Sequence, residues 1–177
     1  NGGSAILQRS LGGKMSSLHV ENVRVEGFFD GMSIIDADDV TIRRSQFLDT
    51  ARHGVFARNT QRLHVEENLF DRNGQNITLD HGLYTIEGKD GEIRGNVFAR
   101  SANFGVRFGG PQKDGTIENN LFLGMRNGFQ VGESTNAVVR DNVIMEIGRT
   151  GQSTGMFAGP VTDLLVTVRG ERVELWS

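Results

Sequence analysis

Cysteine is absent from the 177-residue chain. Disulfide scaffolds, cysteine-ligated zinc and thiol nucleophiles are therefore excluded, while the redox compartment stays open. Proline occurs only twice, and tryptophan and tyrosine once each. No apolar run approaches the roughly 18 residues that a membrane-spanning helix requires. Basic charge is not in surplus either. The net charge of -3 argues against a partner held by its phosphates, so nucleic acid is not expected. Phosphate loops of the Gly-Lys-Thr kind and His-Glu-x-x-His helices are missing, which removes support for nucleotide binding and zincin chemistry. The opening Asn1-Gly2-Gly3-Ser4 has no initiator methionine and no basic or apolar leader region; a processed or excised chain is the expectation.

Glycine is what the chain has in quantity, with 24 residues, roughly double the usual ~7%. Glycine without proline points to many tight turns between strands. Five segments then align: Val40-Thr-Ile-Arg-Arg-Ser-Gln-Phe47, Leu63-His-Val-Glu-Glu-Asn-Leu-Phe70, Gly91-Glu-Ile-Arg-Gly-Asn-Val-Phe98, Gly115-Thr-Ile-Glu-Asn-Asn-Leu-Phe122 and Ala137-Val-Val-Arg-Asp-Asn-Val-Ile144. Ser45, Asn68, Asn96, Asn120 and Asn142 share one column, stepping by 23, 28, 24 and 22 residues. Gly31, Gly54, Gly82, Gly105, Gly128 and Gly155 form a second, and each opens a short alternating stretch such as Gly105-Val-Arg-Phe108. Alternation is a strand signal, and no segment carries a 3.6-residue period.

Strands of four or five residues recurring about every 23 residues predict an all-β fold, a parallel β-solenoid with two or three short strands per rung. Rungs stack at the ordinary ~4.8 Å strand spacing, so equivalent residues lie above one another. Phe47, Phe70, Phe98, Phe122 and Ile144 should form an interior spine. The asparagines should form a ladder of side-chain amides at a bend. One domain over residues 1–177 is expected. Residues 1–17 show no amphipathic capping helix, so the solenoid is read as part of a longer chain or as capped by association, a homo-oligomer included.

These Ile-x-x-Asn-x-Phe rungs resemble the right-handed parallel β-helix proteins, the pectin-lyase-like group of polysaccharide lyases, uronate epimerases, glycoside hydrolases and phage tailspikes. The resemblance spans about residues 18–168 and implies a single-stranded right-handed parallel β-helix of about six to seven rungs. It also implies a polysaccharide partner and an extracellular, periplasmic or virion-surface setting. The matching residues build the helix, so activity has to be sought in outward positions.

If Val106 and Phe108 point inward, Arg107 points out, in a column of Ser33, Phe56, Tyr84, Arg107, Gln130 and Phe157. Rings stack on pyranose faces, while Arg and Gln bond hydroxyls or carboxylates; Phe56, Gln130 and Phe157, with Asp80, are the expected substrate-binding residues. Coverage of Phe56 and Phe157 by a loop or a second subunit is the plainer alternative. A neighbouring row reads Asp30, His53, His81, Phe104, Asn127 and Thr154, and the extra residues of the longest step fall in Asp71–Asp80, which arrives at this row.

His53, His81, Tyr84 and Arg107 are the expected catalytic residues. A base, His81 or Tyr84, removes the proton next to a uronate carboxyl, and Arg107 neutralises that carboxylate. Elimination makes a lyase; reprotonation from the other face makes an epimerase. In the resembling group His with Arg, and Tyr with Arg or Lys, serve this chemistry. Leu79-Asp80-His81-Gly82 matches the epimerase signature Asp-Pro-His-Asp only in part, and a simple turn is the alternative for it. A non-catalytic carbohydrate-binding or tailspike-like segment is the alternative for the whole chain.

No cofactor is expected. Asp36, Asp38 and Asp39 crowd one turn that could serve a hydrolase or hold Ca²⁺, although a solvated acidic cap is the simpler account. Lys89-Asp-Gly91 and Lys113-Asp-Gly115 are read as turns in which glycine supplies the positive φ. His19 and His64 are read as surface residues of strands.

Overall fold

The computed structural model describes residues 3–9 and 12–145, together with the strands Met156–Ala158, Val161–Thr162 and Leu165–Gly170. Among these residues every regular element is a strand, and all strands pair in parallel in one continuous system of about six turns. Register follows the sequence columns. Phe47 pairs with Phe70, Phe70 with Phe98, Phe98 with Phe122, and Phe122 with Ile144. Their rings stack inside at centroid distances of 5.2, 4.7 and 5.2 Å, tilted by only 16°, 13° and 8°. All four phenylalanines are fully buried, each contributing on the order of 2–3 kcal/mol of apolar burial.

The asparagine ladder is present. Asn68, Asn96 and Asn142 use Oδ1 to accept the backbone N–H of the preceding rung: Ser45, Asn68 and Asn120 respectively, each at 2.9 Å. Asn120 does the same for Asn96. Each Nδ2 in turn donates to an interior carbonyl, as Asn96 does to Val65 at 2.8 Å. At the start of the ladder Ser45 substitutes its hydroxyl, taking Val23 N–H at 3.2 Å and donating to the Arg43 carbonyl at 2.8 Å.

The glycine column has a steric cause. A Cβ on Gly31, Gly54 or Gly82 would stand 2.4, 2.6 or 2.7 Å from the carbonyl oxygen of the next rung's column glycine, and no more than 3.0 Å from a spine phenylalanine. Only hydrogen fits there.

Three expectations need correction. Rungs have four sides, not two or three: one runs through Leu83–Ile86, Gly88–Lys89, Glu92–Arg94 and Val97–Ala99. Each corner is turned by a single left-handed residue, and these too form columns. Examples are Asp39, Arg62, Asp90, Asp114 and Asn136, and likewise Asp49, Arg72 and Arg100. In the Lys-Asp-Gly turns the positive φ therefore belongs to Asp90 and Asp114, at 53° each; Gly115 is small because Phe108 Cε2 stands 2.7 Å from where its Cβ would be. Corner strain is offset by bonds between stacked corner side chains, such as Asn59 to Asp36 at 2.6 Å and Arg62 to Asp39 at 2.5 and 2.9 Å. Because one such residue bends the chain without ending its pairing, strands run longer than expected, up to the 14 residues of Asp30–Arg43.

Candidate functional site

Strand alternation places the outward column as expected. Val106 and Phe108 are buried and Arg107 is half-exposed. Ser33 pairs with Phe56, Phe56 with Tyr84, Tyr84 with Arg107, and Arg107 with Gln130, which pairs with Phe157. Ser33 is itself buried. The Phe157 side chain lies outside the described residues, as does Thr154 of the neighbouring row.

That row lies at a corner and forms a second ladder, one missed by the sequence reading. Its first three side chains accept the backbone N–H of the next rung: Asp30 Oδ1 from His53 at 3.2 Å, His53 Nδ1 from His81 at 3.2 Å, and His81 Nδ1 from Phe104 at 3.4 Å. The repeat of this row every rung was visible; its acceptor role was not, because it depends on where the next rung's N–H lands. Asp30 also accepts from Arg52 Nε and Nη2, at 2.9 and 2.5 Å, and Arg52 lies over Phe29 with its Cζ 5.0 Å from the ring centre.

The ladder stacks the two imidazoles, 5.5 Å apart and 11° from parallel. Tyr84 meets both edge-on, at 5.3 and 5.2 Å, and Phe56 closes the far side at 5.9 Å from His53 and 5.6 Å from Tyr84. Arg107 crosses the other face of the cluster. Its Cζ is 5.1 Å from the Tyr84 ring centre, its Nη1 is 3.2 Å from His81 Nε2, and its Nε is buried without a hydrogen-bond partner. Gly109 makes room for this packing, since a Cβ there would stand 2.6 Å from Tyr84 Cε2 and 3.2 Å from Arg107 Nε.

Burial, then the charge of Arg52, lowers His53 to about 4. Burial, then His53 and Arg107, lowers His81 to about 2. Both rings are therefore neutral at physiological pH. A neutral imidazole carries one N–H. His81 meets a donor at each ring nitrogen, the Phe104 N–H at Nδ1 and Arg107 Nη1 at Nε2, so its single lone pair satisfies one of the two.

The family model for the right handed beta helix region matches residues 77–160. Over the described part of that stretch the parallel strand register agrees with the match. A crystal structure of an alginate lyase from Paenibacillus sp. str. FPU-7 superposes with a TM-score of 0.58 at 13% identity, covering 95% of this chain and 76% of that one. ORF18 of Geobacillus virus E2 covers 92% of this chain and 43% of its own at 9% identity, with a TM-score of 0.41. At 13% identity the likeness to the lyase shows the fold alone. No curated protein sequence matches the chain.

Elsewhere on the β-helix the expected residues are accounted for by local bonds. Asp80 is buried and its Oδ2 accepts the backbone N–H groups of Gln75 and Asn76 at 2.9 and 2.7 Å, which folds the inserted loop back beside the histidines. Ile77 and Leu79 of that loop are exposed, and Arg126 reaches across to the Ile77 carbonyl at 3.3 Å. The three aspartates of the acidic turn do not converge. Asp36 bonds Asn59, Asp38 pairs with Lys14 at 3.0 Å, and Asp39 pairs with Arg62. His19 and His64 are on the surface, as expected, and meet Glu21 and Glu92. Among the described residues no helix is long and apolar enough to cross a membrane.

Proposed function

We propose that this β-helix acts on a uronate-containing polysaccharide by proton abstraction beside the carboxylate, with β-elimination as the outcome. The observation that carries this reading is Arg107 itself, half-exposed beside Tyr84 with its Nε buried and without a hydrogen-bond partner. A uronate carboxylate arriving at Arg107 accepts from the guanidinium. Neutralising that carboxylate stabilises the charge that develops when the adjacent carbon loses its proton.

Tyr84 is the base in this scheme. It is half-exposed beside Arg107, whereas His81 has 0% of its surface exposed and its basicity is suppressed. Tyr84, acting as the phenolate, takes the C5 proton, the electron pair forms the C4–C5 double bond, and the C4–O bond breaks as Tyr84 passes the same proton to the leaving oxygen and returns to the phenolate. The two histidines hold Tyr84 and Arg107 in place from behind. Phe56 and Gln130, one rung to either side by register, contact the flanking sugars.

The test is absorbance near 232 nm during incubation with alginate, pectate and glycosaminoglycans, run beside proton NMR in D₂O. Alginate comes first because the similar solved structure is an alginate lyase. Rising absorbance that is lost in both Arg107→Ala and Tyr84→Phe supports the scheme. Deuterium entering C5 without absorbance means that the same base works as an epimerase. Neither signal on any substrate overturns catalysis; retarded migration in polysaccharide-containing gels would then identify a binding module using the same strip.

A further inference from the structure

A second constellation lies on a different side of the rung, separated from Tyr84 by the corners at Glu87 and Asp90. His64 and Glu66 are two apart on the strand Val55–Glu66 and so share its outward face. Glu92 opens the neighbouring strand and pairs in register with His64. One imidazole nitrogen and two carboxylate oxygens are thereby gathered with all three atoms within 4.8 Å of one another. The geometry points to a Zn²⁺ site made by His64, Glu66 and Glu92.

Three features favour a cation over ordinary ion pairing. First, His64 Nδ1 lies 3.3 Å from Glu92 Oε2, against 2.9 Å for the hydrogen-bonded pair His19 and Glu21. Two ligands each about 2.0–2.1 Å from a tetrahedral zinc stand about 3.3–3.4 Å apart, so the wider spacing is that of a coordination edge. Second, Arg94 holds Glu66 through Oε1 at 2.6 Å, leaving Oε2 to ligate. A hydrogen-bonded carboxylate of this kind is oriented for a metal in advance. Third, the donor set is selective. Imidazole with carboxylates suits zinc, whereas Ca²⁺ takes six to eight oxygens. All three residues are half-exposed, so solvent reaches the cluster.

The placement gives the site a purpose. His64 and Glu66 precede the inserted loop Asp71–Asp80, and Glu92 follows it. A bound ion ties together the two rungs that the 28-residue step separates, stiffening the rung that carries Tyr84. The site stands apart from the proposed chemistry and is tested without it.

Titration calorimetry of the full chain with ZnCl₂, and separately with CaCl₂, tests the site. One Zn²⁺ per chain is expected, with no stoichiometric heat from Ca²⁺. His64→Ala and Glu92→Gln should each weaken Zn²⁺ binding by about 10-fold or more, Arg94→Gln by a similar factor through loss of orientation, and His19→Ala should leave it unchanged. Glu92 is half-exposed on the sheet, so Glu92→Gln keeps the test valid if His64→Ala proves unstable by circular dichroism. Absence of one-to-one Zn²⁺ binding, or affinity within twofold of wild type in Glu92→Gln, overturns the assignment.

Discussion

Replacing Asn96 with alanine removes five hydrogen bonds from the middle of the ladder. Asn96 Oδ1 accepts from Asn68 N at 2.9 Å and Asn68 Nδ2 at 3.0 Å, while its Nδ2 donates to the Val65 carbonyl at 2.8 Å, the Arg94 carbonyl at 3.1 Å and Asn120 Oδ1 at 3.0 Å. Asn96 is 1% exposed, so water cannot replace these partners. The Asn68 backbone N–H and the Val65 carbonyl lose side-chain partners in the interior, and each buried group left unsatisfied costs about 1–3 kcal/mol. Asn96→Ala should therefore cost about 3–5 kcal/mol, a large part of the stability of a typical domain. Asn96→Ser should cost about half as much, because Ser45 shows how a hydroxyl takes one N–H and one carbonyl in this column. Urea denaturation followed by far-ultraviolet circular dichroism, at constant slope, measures both. A loss below about 1 kcal/mol for Asn96→Ala, or serine no better than alanine, would refute the ladder as a source of stability.

The histidine pair predicts how stability depends on pH. Its pKa values fall from 6.5 to about 4 for His53 and about 2 for His81, so below pH 6.5 the unfolded chain takes up protons that the folded chain refuses. Their stabilisation is complete above pH 6.5 and declines as pH falls toward 4, at up to about 2–3 kcal/mol per pH unit for the two together. Denaturation at pH 7 and pH 5 should show a smaller drop in the double variant His53→Gln, His81→Gln; an equal drop refutes the assignment. Gly82→Ala forces a Cβ to 2.7 Å from the Gly105 carbonyl and should lower stability by about 2–3 kcal/mol, measured by thermal unfolding. Gly109→Ala presses on Tyr84 and Arg107 instead. It should reduce the elimination rate by about 10-fold or more, with a far smaller shift in melting temperature, and unchanged kinetics would separate this packing from function.

The spine, the asparagine ladder and the glycine column were legible because stacking one rung on the next turns a spacing of about 23 residues into direct contact. A residue type that every rung needs therefore recurs visibly. Asn68, Asn96 and Asn120 are an instance, since an amide accepts the preceding rung's N–H and donates to carbonyls inside at the same time. The corners were not legible. Arg62, Asp90 and Asn136 occupy equivalent left-handed positions with unrelated side chains, so only the backbone marks them. The count of sides per rung was missed for the same reason.

The outward strip was determined by the sequence itself. Alternation decides which face a residue takes, and the rung spacing decides its neighbours, so Phe56, Tyr84, Arg107 and Gln130 could be aligned before any coordinates. Only the tertiary structure decided that His53 and His81 turn inward at the corner to receive backbone N–H groups, that Asp80 bonds its own loop, and that Arg107 meets a neutral imidazole. Those outcomes depend on where an N–H of one rung falls beside a ring of the rung before it. That vector is set by corner angles and rung offset, and a linear pattern does not contain it.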